Sequence, residues 1–196
     1  MLLERRWRRL ILAGLGTAVV TAGAACKDSR ETKQPDPIET AFEAFEDRID
    51  SFMAIRKRVV DSIGDLDPTR SQAEIATRAT ALGRSLIAAR PDAKPGDIFT
   101  PEIAAVIATL IKEEHRRRAD TVLETREDQQ EELPDFVPEV NRLYPTTYPL
   151  ATFPPALLPL LPALPEPLEY RVAQRYLMLR DIEANLIIDF MPNAMP

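Results

Sequence analysis

The chain has 196 residues, 25 of them basic and 31 acidic, with a formal net charge of −6 and a single cysteine. The acidic balance argues against a nucleic-acid partner, which needs phosphate-neutralising cations, and against strong attraction to anionic headgroups. The lone cysteine excludes an internal disulfide, so the fold must rest on packing.

In chain order, the first element is a targeting pattern. Arg5, Arg6, Arg8 and Arg9 surround Trp7, an uncharged stretch runs from Leu10 to Ala25, and small residues lead up to Cys26. Basic region, apolar region and small-residue cleavage site are the order of a secretory signal, which places residues 1–25 in a removed segment. The apolar stretch is short for a membrane span of about 20 residues. Arg8-Arg9-Leu10-Ile11-Leu12 loosely matches a twin-arginine signal. Gly23-Ala24-Ala25-Cys26 resembles a bacterial lipobox, in which the cysteine is lipidated, with Gly23 in place of the usual leucine; ordinary cleavage after Ala24 or Ala25 is the alternative. The polar residues 26–36 suit a tether. Without residues 1–25 the chain holds 21 basic and 30 acidic residues, net −9.

A helical region is expected over 37–132. Ile38, Phe42, Phe45, Ile49, Phe52, Val59 and Ile63, with Arg56 in the vacant slot, alternate spacings of four and three, the stripe of a helix facing a partner. Pro37 suits its first turn and Asp65-Leu66-Asp67-Pro68 its end. Ser71 and Glu74 form a capping box for a second helix with a stripe of Ile75, Ala79, Leu82 and Leu86. Thr100 and Pro101 start a third, covered on one face by Ile103, Val106, Ile107, Leu110 and Ile111. Its continuation from Lys112 to Glu132 is charged and expected in solvent.

Ten of the 18 prolines fall between Pro134 and Pro167. That density precludes a long helix, and the Leu, Phe, Tyr and Val content predicts a packed connector over 133–167, with one helical turn from Pro154-Pro155 through Leu161. From 168 the pattern alternates. Leu168, Tyr170 and Val172, then Tyr176 and Met178, then the run Asn185–Phe190 broken only by Asp189, predict a three-stranded antiparallel meander over 168–196. The fold class is therefore α+β, a helical body closed by a small sheet.

Few residues carry chemistry. His115, the only histidine, has Ala119 where a second zinc-binding histidine belongs, so it reads as a surface residue. Asp181-Ile182-Glu183-Ala184-Asn185 starts like a calcium loop, but Leu186 and Pro192 stand where glycine and glutamate are required, so it reads as a polar turn. There is no nucleophile elbow and no phosphate-cradling glycine loop. No metal or other cofactor is implied.

The stretches ARPDAKPGDIFTPEIAA at 89–105, YPLATFPPALLPLLPALPEPLEYR at 148–171 and LRDIEANLIIDFMPNA at 179–194 resemble segments of a group of uncharacterised exported bacterial proteins. The resemblance implies that the helices and the strands travel as one unit; it implies no activity. The reading is an exported envelope protein, periplasmic or lipid-anchored at Cys26, acting as a non-catalytic binding or scaffolding module on a protein or envelope component. The alternative is an envelope enzyme with a polar site assembled on the C-terminal strands from Arg171, Arg180, Asp181 and Asp189.

Overall fold

A computed structural model describes residues 36–64, 71–122, 136–145, 147–149 and 153–195. The expected signal segment, the tether before Asp36 and the charged continuation beyond Val122 lie outside these residues. Helix α1 spans Pro37–Ile63, α2 Gln72–Ala89 and α3 Pro101–Val122. Strands follow at Arg142–Leu143 (β1), Leu168–Ala173 (β2), Tyr176–Asp181 (β3) and Leu186–Met191 (β4), with a 3-10 turn at Leu158–Leu160.

Helix α1 starts where the Asp36 carboxylate accepts the Ile38 N–H at 2.9 Å and Pro37 fills the first turn. It stops at Gly64, whose positive φ of 77° turns the chain while its N–H bonds the Val60 carbonyl. That is one residue before the expected stop at Asp65, which lies outside the described residues. Ala41, Phe45, Ile49, Phe52, Arg56 and Val59 are buried. The ends of the expected stripe, Ile38 and Ile63, are exposed because the helix overhangs its core at both ends. Burying Phe45 and Phe52 stabilises by about 1.5–3 kcal/mol each.

Ser71 Oγ accepts the Glu74 N–H and opens α2. Its burial begins only at Leu82, continuing through Gly83 and Leu86, and Ile75 is half exposed on turns that precede the core. Gly83 permits close packing: a β-carbon there would stand 3.0 Å from the Leu143 side chain and 3.1 Å from the Ala184 carbonyl. Thr100 caps α3 through the Ile103 N–H, and Ile103, Ile107 and Ile111 sink into the core, with Val106 and Leu110 at its margin.

The sheet is antiparallel with order β1-β4-β3-β2. The expected three-strand meander is β2–β4, and the correction is a fourth strand contributed by the proline-rich connector. Arg142 pairs with Ile187 and Leu143 with Leu186, extended by bonds from Asn141 N to Ile187 O and from Tyr144 N to Asn185 O. A strand of 2 residues, following Asn141 at φ 61°, is too short to show a period of two.

The strands have two covered faces. On one, Leu168, Tyr170, Leu177, Leu179, Leu186, Ile188 and Met191 join α1, α2, α3, Phe153, Leu157 and Leu161 in a single apolar core. On the other, Met178, Ile187 and Ala173 lie under Phe136, Tyr144 and Tyr148, whose rings stack at 4.7 Å between Phe136 and Tyr148. Among the described residues of the 133–167 segment, Phe136, Tyr144, Tyr148, Phe153, Leu157 and Leu161 are buried against the sheet and helices. A register shift between Leu179 and Arg180 leaves Ile188 as an extra residue in β4. This bulge keeps both Ile188 and Asp189 on the helical side, which strict alternation forbids.

Candidate binding edge

The four polar residues expected to gather on the strands do not converge. Consecutive residues in a strand face opposite ways, so Arg180 and Asp181 part company at once. Asp181 is fully buried on the helical side, where its carboxylate accepts Arg56 Nε at 2.7 Å and the Ala184 N–H at 2.9 Å. Arg56 reaches on to Glu183 at 2.5 Å. Burial pulls its guanidinium pKa down, and the hydrogen bonds and charges of Asp181 and Glu183 outweigh that, holding it above its ordinary value. The 181–185 segment is therefore a hairpin turn whose carboxylates serve an arginine of α1.

Asp189 is also fully buried. Its oxygens accept the N–H groups of Gly96 (2.9 Å), Ile98 (2.7 Å), Phe99 (2.8 Å) and Phe190 (2.8 Å), pinning the α2–α3 loop to β4. Burial pushes its carboxyl pKa up, against these four donors. Arg90 packs nearby, stacked 5.1 Å over the Phe52 ring, and burial lowers its pKa against the pull of Asp189 and Asp97. With both oxygens engaged by backbone N–H groups and no exposure, Asp189 is a structural staple.

Arg171 and Arg180 do share the outer face. Between them stands Glu169, which accepts Arg171 Nη2 at 2.6 Å and Arg180 Nη1 at 2.5 Å. The Arg180 guanidinium also donates to Asn185 and lies 5.6 Å from the Tyr144 ring. Burial raises the Tyr144 pKa, and its hydroxyl donates to the Pro149 carbonyl. This cluster holds charge and a hydrogen-bond network, without a nucleophile or an unengaged base. His115 is exposed on α3. Its neighbour Glu114 is clasped by Arg117 and Arg118, whose hydrogen bonds hold the carboxyl at about 2 against the opposing effect of desolvation. Among the described residues no three His, Cys, Asp or Glu side chains are placed as metal ligands, and no helix is long and apolar enough to cross a membrane. Cys26 lies outside them.

A shallow depression on α2 is lined by Ala76, Thr77, Thr80, Ala81 and Arg84. Both threonine hydroxyls are spent on carbonyls of their own helix, those of Ala73 and Ala76, so it offers little to orient a ligand.

The feature that alternation alone did not locate is the edge of β2. Both β1 and β2 are terminal strands, but β1 has 2 residues and β2 has 6, so the longer open edge is that of β2. Beyond β1, the β4 side is closed further by Arg90, bonded to the Ile188 carbonyl, and by the Asp189 staple. Strand β2 is last in the order, and no described strand pairs with its outer side. The Ile182 N–H donates to the Pro167 carbonyl, which makes that pair hydrogen-bonded. Alternation then turns the backbone groups of Glu169, Arg171 and Ala173 toward β3 and those of Leu168, Tyr170 and Val172 away from it. Leu168 N–H returns to Pro165 O at 2.9 Å. The peptide groups of Tyr170 and Val172 remain outward. Unpaired edge groups of this kind are a template for another strand. No protein-family model, curated protein or solved structure matches this chain.

Proposed function

We propose that this chain is an exported cell-envelope protein that works as a non-catalytic binding or scaffolding module through the edge of β2. The observation that carries the reading is the outward-facing backbone of Tyr170 and Val172 on a terminal strand held between two packed faces. Strand addition draws affinity from main-chain hydrogen bonds and specificity from alternate side chains. The division of the four polar strand residues into three structural networks, Arg171 with Arg180 on Glu169, Asp181 on Arg56 and Asp189 on the α2–α3 loop, argues for binding over chemistry. Export rests on the arginine-rich, apolar and small-residue order of residues 1–25, and a lipid anchor on Cys26, which would reach the folded unit through residues 27–35.

The test is in-cell photocrosslinking in the native host. Arg175 is exposed at the end of β2, and Asp61 is exposed on α1. A photoreactive residue at 175 is expected to give a discrete adduct that one at 61 does not. Equal adducts, or none at either position, would overturn edge binding. Export is checked separately: intact mass is expected to show residues 1–25 removed and an acylated Cys26, with Cys26→Ser blocking acylation. His115→Ala is expected to complement a knockout fully.

A further inference from the structure

We infer that the strand received by the β2 edge is the same strand of a second copy of this chain, paired antiparallel about Tyr170. This deepens the edge-binding reading and rests on it. Register decides the pairing. Along β2 the outer-face residues run Glu169, Arg171, Ala173, and the helical-face residues run Leu168, Tyr170, Val172. An isologous pairing must set like faces opposite like faces, so registers that oppose an even-numbered residue with an odd-numbered one are excluded.

Three central registers remain. One opposes Glu169 with Glu169 of the second copy, and one opposes Arg171 with Arg171; like charges directly opposed are destabilising. The register centred on Tyr170 sets Glu169 of each copy against Arg171 of the other, so two opposite-charge pairs form across the two-fold axis. The same register brings Leu168 opposite Val172. It also matches the backbone, because Tyr170 and Val172 are the residues whose peptide groups point outward. Each Tyr170 N–H meets the other Tyr170 carbonyl, and each Val172 N–H meets the other Leu168 carbonyl. The Leu168 N–H, already given to Pro165, is the one donor this ladder leaves out. All three registers set outward-facing peptide groups against one another, so the backbone admits each of them and the charge pattern selects the one centred on Tyr170. The product is a continuous sheet running through both copies, with Glu169 and Arg171 at its centre already held in place by Arg180 and by each other.

The experiment uses the full processed chain in sedimentation velocity, together with two single-charge variants. The wild-type chain is expected at twice the mass of one chain. Arg171→Glu and Glu169→Arg are each expected to be monomeric, since each sets like charges opposite one another. Mixed together they are expected to recover a dimer, because each Glu then faces an Arg. Circular dichroism and melting of each variant establish that it is folded; a variant that unfolds is replaced by the milder Arg171→Gln, expected to weaken dimerisation about ten-fold. A second readout fixes the register. In a Cys26→Ser background, chains carrying Glu169→Cys and Arg171→Cys are mixed under mild oxidation, and the mixed 169–171 disulfide is expected to exceed either homodimeric one. A monomeric wild-type chain, or crosslinks without preference for the mixed pair, overturns pairing between copies. If the chain is monomeric and the position-175 adduct contains another protein, edge binding stands and self-pairing falls; if there is no adduct either, both fall.

Discussion

Replacing Arg56 with methionine tests how the helices are joined to the sheet. Arg56 occupies a core slot of α1 and its only described carboxylate partners, Asp181 and Glu183, lie at the β3–β4 turn. Methionine fills the space of the arginine stem but leaves the fully buried Asp181 carboxylate without its cation. Breaking a buried pair by removing one partner costs about 3–5 kcal/mol. For a unit of this size each kcal/mol moves Tm by about 2–4 °C, so Arg56→Met is expected to lower Tm by about 6–20 °C. Glu183, half exposed, contributes little of this, because exposed ion pairs are worth about 0–1 kcal/mol. The companion is Asp181→Asn, which keeps an oxygen for the Ala184 N–H and removes the charge. In the double variant no uncompensated charge remains, so the two costs are expected to fall short of additivity by about 0.5–3 kcal/mol. Urea unfolding followed by far-UV circular dichroism measures all four proteins. Additive costs, or an Arg56→Met loss below about 1 kcal/mol, would show that α1 is held by its phenylalanines alone and refute the ionic link.

Asp189→Asn is expected to destabilise by about 2–6 kcal/mol, because an amide presents one acceptor oxygen and leaves buried N–H groups of Ile98 and Phe99 poorly satisfied at about 1–3 kcal/mol each; hydrogen exchange is expected to accelerate at 96–99 before it does in α1. Phe45→Ala and Phe52→Ala are each expected to cost about 3–5 kcal/mol, while Glu46→Ala and Asp47→Ala, on the exposed side of α1, change the denaturation midpoint little. The Glu114 carboxyl is expected to titrate at about 2 by NMR. Since its folded value is depressed, its contribution to stability is present above its unfolded value and fades as pH falls toward 2, and Arg117→Gln with Arg118→Gln is expected to return the midpoint to the ordinary carboxylate range.

Much of this architecture was written in periodicity. The four-three spacing through Phe45, Ile49 and Phe52 located the buried side of α1, Thr100-Pro101 located the start of α3, and Leu168-Glu169-Tyr170-Arg171 located β2. What periodicity misses is long-range pairing. Arg56 stood in a buried slot, a signal that some carboxylate must meet it, yet the carboxylate is 125 residues away. Asp189 likewise interrupted an apolar run, but its partners are backbone N–H groups of a distant loop, which have no sequence signature. Ile75 and Ile38 looked like core because a stripe cannot show where a helix outruns its neighbours. The two-residue β1 and the bulge at Ile188 are below the length at which a pattern exists. The edge of β2 is a property of strand order, so it was visible only once β1 and β4 had been placed.

The Asp189 staple also has a consequence for synthesis. The α2–α3 loop receives its anchor from a residue about 90 positions later, and α1 receives its own from the same end of the chain. A ribosome or a translocation channel delivers α1, α2 and α3 long before either carboxylate. Contacts so distant in sequence close slowly, since the intervening loop must be immobilised before they form. A chain ended at residue 167 keeps the bond from Arg48 to the Asp97 carbonyl but lacks both carboxylate anchors. Full locking of the three helices therefore follows the making of β3 and β4, which carry Asp181 and Asp189.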